Sequence, residues 1–183
     1  MTVLCGLLVA LTASARADGP ASPLALSGGL GQGLGGAPGA SGVVLGVGRL
    51  DLDLGRFGFA TGAREGLATA DLRTVGGVFV GLRADLAPDW HLRFGFAHHH
   101  ETPWEAVVDA PALALLGVSE GITHRSGAEL AVCFRPLLGQ LDWLAGGLDL
   151  SVVVLPDAGG PRGYVFFEQH LTLFPKIGLV PAE

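Results

Sequence analysis

Trp90 to Glu101 reads WHLRFGFAHHHE, and a period of two splits it in two. Trp90, Leu92, Phe94 and Phe96 fall on one side, and His91, Arg93, Gly95 and Ala97 on the other. One face is apolar and aromatic, the other polar or very small. A soluble sheet buries the apolar face in a core, whereas a transmembrane barrel turns it to lipid and fills its interior with the polar face. The rest of the chain decides between the two.

The same alternation recurs on both sides of this strand. Val43 to Leu54 sets Val44, Gly46, Gly48, Leu50, Leu52 and Leu54 against Arg49, Asp51 and Asp53. Gly55-Arg56 is a tight turn, Phe57 to Thr61 returns, and Gly62 to Asp71 reads as a polar loop. Arg73 to Leu86 opposes Thr74, Val78, Val80, Leu82 and Leu86 to Arg73, Phe79, Arg83 and Asp85, and Ala87-Pro88-Asp89 turns into the Trp90 strand. Downstream, Thr123 to Arg135 opposes Ala128, Leu130, Val132 and Phe134 to Arg125, Glu129 and Arg135. After a turn at Pro136 to Gln140, Asp142 to Leu155 opposes Leu144, Leu148, Leu150, Val152 and Val154 to Asp149 and Ser151. A loop from Pro156 to Gly163 then leads to Tyr164 to Phe174, with Glu168 and His170 on its polar side.

Residues 18–42 are rich in Gly, Ala, Pro and Ser, and within them Leu24 to Leu34 makes a weak first strand. In the 102–121 connection, Trp104 to Leu116 carries enough Ala, Leu and Val for a short helix or an apolar flap. Short connections follow Leu54, Leu86 and Arg135, and longer ones fall near Gly35, Gly62, Thr102 and Pro156. The pattern predicts an all-β fold, an antiparallel up-and-down transmembrane β-barrel of about eight strands over 43–175, with a tail at 176–183.

A barrel this small holds no water channel and must pair the charges it encloses. The inward face collects Arg49, Arg83, Arg93, Arg125 and Arg135 against Asp51, Asp53, Asp85, Glu101, Glu129, Asp149 and Glu168. Both signs are present, so bidentate Arg–carboxylate bonds are available. The competing fold is a soluble periplasmic or secreted β-sandwich or lipocalin-like barrel, a binding protein in which the aliphatic faces are core and the charged faces wet.

With 183 residues the chain is one domain long, and its mean hydropathy is +0.50. No stretch is apolar enough for a spanning helix, so the apolarity lies in alternating strands. A formal charge of −6 and the lack of a basic run argue against nucleic acid as a partner. Residues 1–17, MTVLCGLLVALTASARA, have an apolar run from Val3 to Ala13 and end in Ala15-Arg16-Ala17. That predicts a secretory signal peptide cut before Asp18 and export through the Sec pathway to the outer membrane, where lipids and lipopolysaccharide are the partners. Cys5 lies too near the start for lipidation behind a full apolar region, and cleavage leaves Cys133 alone, without an internal disulfide.

His98, His99, His100 and Glu101 end the organising strand, and His124, Arg125 and Ser126 open the next, so the two groups should meet as neighbours. Imidazoles with a carboxylate suit zinc or nickel, but consecutive strand residues point to opposite faces, so only His98 and His100 share one, and neither metal nor cofactor is expected. His124-x-Ser126 resembles the pairing in outer-membrane lipid A deacylases and outer-membrane phospholipase A. The resemblance implies a lipid hydrolase in which His124 takes the Ser126 proton and Glu101 or Glu120 orients the imidazole, with His98 and His100 beside them. Gly127 stands where that family carries Asn. WHLRFGFAHHHE, then HRSGAEL and LDWLAGGLDL, are also similar in order and spacing to an uncharacterised group of predicted bacterial outer-membrane barrels whose strand ends in a His-Ser-Ser-His-like run. That likeness spans about residues 70 to 172. It implies an envelope barrel, structural or adhesive, with polar and aromatic residues at the head-group rim and Trp90 as an interfacial anchor. A transporter is disfavoured because eight strands leave too narrow an interior.

Overall fold

A computed structural model describes residues 24–35, 41–54, 56–70, 72–87, 89–135 and 144–173. The expected signal peptide, the turn at 136–140, Asp142, Phe174 and the 176–183 tail lie outside these residues. Eight strands follow one another: β1 (Leu24–Gly35), β2 (Ser41–Asp53), β3 (Phe57–Ala68), β4 (Arg73–Ala87), β5 (Trp90–Thr102), β6 (Thr123–Phe134), β7 (Leu144–Leu155) and β8 (Arg162–Leu173). Each pairs antiparallel with its sequence neighbours, and β1 pairs with β8, closing the barrel. The connection after β5 holds two short helices, α1 (Trp104–Asp109) and α2 (Pro111–Leu115), where the sequence predicts a helix or flap.

The orientation of the wall is unambiguous. Leu30, Leu82, Phe94 and Leu150 are 72, 60, 59 and 52% exposed, whereas Arg93, Glu129 and Asp149 are 2, 2 and 0% exposed. A soluble fold reverses this arrangement, because unpaired aliphatic rows belong in its core. On β1 the outward row runs from Leu24 to Leu34. At about 3.3 Å per residue and a tilt of roughly 40°, those residues span a belt about 25 Å tall, the height of the apolar band of transmembrane barrels. Trp90 lies at the end where β1 begins and β8 ends, with its ring centroid 4.7 Å from that of Phe134 and Phe57 exposed on a nearby strand, a partial aromatic girdle.

Two sequence expectations need correction. Gly62 to Ala68 is not loop but the second half of β3, and only residues 69–72 separate β3 from β4, so that connection is short rather than long. Arg64 and Glu65 make the segment look polar, yet they continue the period of Phe57 and Phe59, with Arg64 pointing in and Glu65 out. The lumen is also not charged throughout. Above the charges lies an apolar layer of Val43, Leu45, Val75, Phe79, Val153, Leu155, Tyr164 and Phe166.

The charged layers run upward from the end where β1 begins. Arg83 lies 2.9 Å from Asp53 and 3.4 Å from Asp85, which meets His91 Nδ1 at 2.7 Å. Next, Asp51 takes Arg135 at 3.2 Å and Arg49 at 3.0 Å. Asp149 is shared by Arg49 and Arg93, and Arg49 Nη2 donates to His170 Nε2 at 2.7 Å. Glu129 then takes Nη1 and Nη2 of Arg64 at 2.8 Å each and Arg93 Nη2 at 2.6 Å, while Glu168 takes Arg64 Nε. The guanidinium carbons of Arg64 and Arg93 each sit 4.4 Å from the Phe79 ring centroid, in cation–π contact. Among these arginines and carboxylates Arg64 is absent from the set expected to face inward, because Gly62 to Asp71 has the composition of a loop. Glycines let the wall close over them: a Cβ on Gly95 would lie 2.1 Å from the Val80 carbonyl oxygen.

Candidate functional site

At the end of the barrel opposite the start of β1, the register of β5 with β6 decides which side chains meet. His98 pairs with Ser126, and His100 with His124, all on the outward face. His98 Nδ1 lies 2.8 Å from Ser126 Oγ, and His98 Nε2 lies 3.2 Å from His124 Nδ1. Both tautomers of His98 satisfy the two contacts: either Ser126 Oγ–H donates to Nδ1 and Nε2–H donates to His124, or Nδ1–H donates to Ser126 Oγ and His124 Nδ1–H donates to Nε2. The His98 and His124 rings stack with centroids 5.3 Å apart.

The residue next to Ser126 is therefore His98, across the strands, and not His124, two residues along its own strand. A within-strand pair points in parallel, whereas a cross-strand pair converges. Glu101 is not its acid. It points into the lumen, where Tyr164 Oη donates to it and Arg73 Nη1 lies 2.8 Å away. Outside, among the described residues, the carboxylate beside the histidines is Glu65, whose Oε1 is 3.4 Å from His100 Nε2. The two reach toward each other over Gly76 of the intervening strand, where a Cβ would lie 2.3 Å from Glu65 Oε1 and 2.4 Å from His100 Nε2. His100 and His124 approach only as rings, with centroids 6.2 Å apart. Gly117, at φ +70°, brings the helical connection down on His100, leaving 3.0 Å between a Cβ there and Nδ1. His99 faces inward and stacks on Tyr164 and Phe166. Among the described residues no group of three His, Cys, Asp or Glu side chains converges as a metal site.

Below this cluster, toward the middle of the wall, an open apolar groove of about 480 Å³ is lined by Phe59, Val80, Leu82, Phe94 and Phe96, and it reaches Gly127 beside Ser126. Above it, α1, α2 and the residues after them expose Trp104, Val108, Leu113, Leu115, Leu116 and Val118.

The mouth of the lumen holds the remaining charges of the expected network. Arg125 Nη1 lies 3.6 Å from Glu101, and Arg125 Nε lies 3.2 Å from Asp157, which also takes Arg162 Nε at 2.5 Å and the backbone N–H of Ala158 at 2.8 Å. The Arg162 hydrogen bond, followed by Ala158 and Arg125, holds the Asp157 carboxyl below its ordinary value of 3.8. A depressed carboxyl contributes order above its ordinary pKa and loses it as the pH falls through the lowered one. The loop after β7 is therefore expected to keep its structure at pH 5 and loosen only below 3.8. Titration of the Asp157 side chain by NMR in micelles checks this, and a midpoint at or above 3.8 would count against it.

No protein-family model and no curated protein matches the sequence. In fold the chain is similar to Neisserial surface protein A, with a TM-score of 0.56 and 5% identity over 84% of this chain and 98% of that one. It is also similar to the N-terminal β-barrel domain of Pseudomonas aeruginosa OprF, with a TM-score of 0.52 and 9% identity over 84% and 99%. A third likeness is to Ail, the attachment invasion locus protein of Yersinia pestis, with a TM-score of 0.51 and 8% identity over 84% and 99%. Ail has also been solved with the heparin analogue sucrose octasulfate.

Proposed function

We propose that the chain is a non-conducting outer-membrane barrel with a structural or adhesive role, exposing its helical connection to the exterior and resting among lipids and lipopolysaccharide. The observation that carries this reading is the combination of an outward aliphatic belt with a lumen blocked by layers of paired charge and then by aromatic rings. Such an interior leaves no continuous water path, which favours scaffolding or display over transport. β1 begins and β8 ends at the end of the barrel that carries the short β2–β3 and β4–β5 connections, which supports a periplasmic side there. Trp104 and the leucines of the flap lie at the opposite rim, where amphipathic rings and aliphatic side chains suit the head-group boundary.

The test is cell fractionation followed by gels of boiled and unboiled protein, then reconstitution in a planar bilayer. The protein is expected in the outer-membrane fraction, with a folded band that shifts on boiling and no stepwise conductance. Recovery as a detergent-free soluble monomer, or discrete conductance steps, would overturn the reading.

A further inference from the structure

We propose that a polar pocket at the mouth of the barrel, between the two ends of the helical connection, binds one neutral sugar ring, the terminal residue of a glycan. The inference deepens the adhesive reading and rests on it, because the pocket meets a partner only if this end faces the exterior.

Ladder register builds the pocket. Val75 of β4 pairs with Glu101 of β5, and Glu101 pairs with Thr123 of β6, so Arg73, Glu101 and Thr123 fall in inward phase at the upper rim of three adjacent strands. The connection leaves this rim at Pro103 and returns to it at Gly121, where φ is +77° and a Cβ would stand 3.9 Å from Pro103 Cγ. Between these ends lies a cavity of about 280 Å³, to which the strands contribute Arg73, Glu101 and Thr123 and α1 contributes Trp104 and Glu105. Ligands of drug size occupy roughly 300 to 1,000 Å³, so this space suits a single ring and not a long chain.

The lining selects the ligand class. Two carboxylates against one guanidinium disfavour an anionic ligand. A cation gains little from Glu101, because Arg73 Nη1 lies 2.8 Å from it, Arg125 Nη1 3.6 Å and Arg162 Nη1 3.8 Å, and Tyr164 Oη donates to it. An acyl chain is excluded by so polar a wall.

A neutral polyol meets every one of these groups, since its hydroxyls both donate and accept. The Glu101 carboxylate has about four lone-pair sites, so acceptor capacity is left beside Tyr164 and Arg73. The exposed Glu105 carboxylate accepts with the added strength of an ionised group. In return, the guanidinium of Arg73 and the hydroxyl of Thr123 donate. Trp104 is 43% exposed and presents a flat apolar ring on which the C–H face of a pyranose can lie. Acceptors, donors and one aromatic plane around a ring-sized space are the elements that recognise a sugar.

The experiment uses the full chain folded in amine-oxide micelles, which contain no sugar, with the shift on boiling confirmed first. The probes are the methyl glycosides of glucose, galactose, mannose and N-acetylglucosamine, with glucose 6-sulfate and choline as charged comparators. Saturation-transfer NMR is expected to show saturable binding of at least one neutral glycoside, with transfer strongest to its ring C–H protons and no competition from either comparator. Trp104→Ala is expected to weaken that binding by about tenfold or more, and Trp104→Phe by less, since a ring is retained. Glu105→Gln and Thr123→Val are each expected to weaken it by about three- to tenfold. Val108→Ala, on the same helix but outside the pocket, is expected to leave it unchanged. No saturable binding of any of the four glycosides, binding of the sulfate or choline in their place, or binding indifferent to Trp104→Ala would overturn the proposal. In protein that still shifts on boiling, such a result leaves the barrel reading intact, whereas loss of the shift in the unsubstituted chain overturns both.

Discussion

Glu129→Gln is expected to destabilise the folded barrel by about 3 to 5 kcal/mol, the cost of breaking a buried ion pair from one side. Glu129 accepts both terminal nitrogens of Arg64 and one of Arg93 in a lumen where all three side chains are 2 to 3% exposed. The glutamine is almost isosteric, so packing changes little. What changes is that two guanidinium groups stay enclosed with only Asp149 and Glu168 to balance them. Urea titration of the barrel in lipid vesicles, followed by tryptophan fluorescence, measures the loss. Asp53→Asn is the control, since the Asp53 side chain is 39% exposed at the open end and its bond to Arg83 is screened by water. A change below about 1 kcal/mol for Glu129→Gln would mean that water reaches the middle of the lumen.

Leu130→Arg is expected to cost about 2 to 4 kcal/mol when the barrel is folded in a bilayer, the penalty for a guanidinium near the midplane on the lipid side. Leu130 is 47% exposed, pairs with Phe94 and Val152, and sits in the middle of the apolar belt. The same substitution at Leu34, near the rim of β1, should cost about 0 to 1 kcal/mol, because a long side chain there reaches the head groups. On a soluble surface a half-exposed leucine accepts arginine within about 0.5 kcal/mol. The depth dependence between the two sites, read from urea midpoints in vesicles, therefore reports directly which solvent touches the wall.

How far the sequence can be read depended on which interactions are local. Alternation is local: Leu130, Val132, Leu150 and Val152 all face outward as their period requires, and Arg49, Arg93, Glu129 and Asp149 all face inward. Arg64 was lost because a charged pair beside glycines has the composition of a loop, and only its phase with Phe57 and Phe59 shows it to be strand. The apolar upper lumen was equally hidden, because Val75, Phe79 and Tyr164 do not declare which end of a cylinder they occupy. The histidine and serine cluster could be located roughly from the strand ends. Its partners could not, because register across the 103–122 connection is set by ladder pairing. That register puts His98, and not His124, against Ser126, and it puts Glu101 behind the wall.

Closure by β1 on β8 also constrains assembly. Ser27 bonds Thr172 across 145 positions of sequence, and Arg49 near the amino end finds Asp149 and His170 only near the carboxyl end. A nascent hairpin entering lipid alone would carry guanidinium groups short of counter-charge, Arg49 keeping Asp51 but lacking Asp149, and Arg64 lacking both Glu129 and Glu168, at a penalty of several kcal/mol for each unbalanced charge. Partial insertion is thus discouraged, and the polypeptide must wait for its last segment before it commits. Bilayer entry and ring completion become a single cooperative event, with the glycine-rich first strand as the seam sewn last.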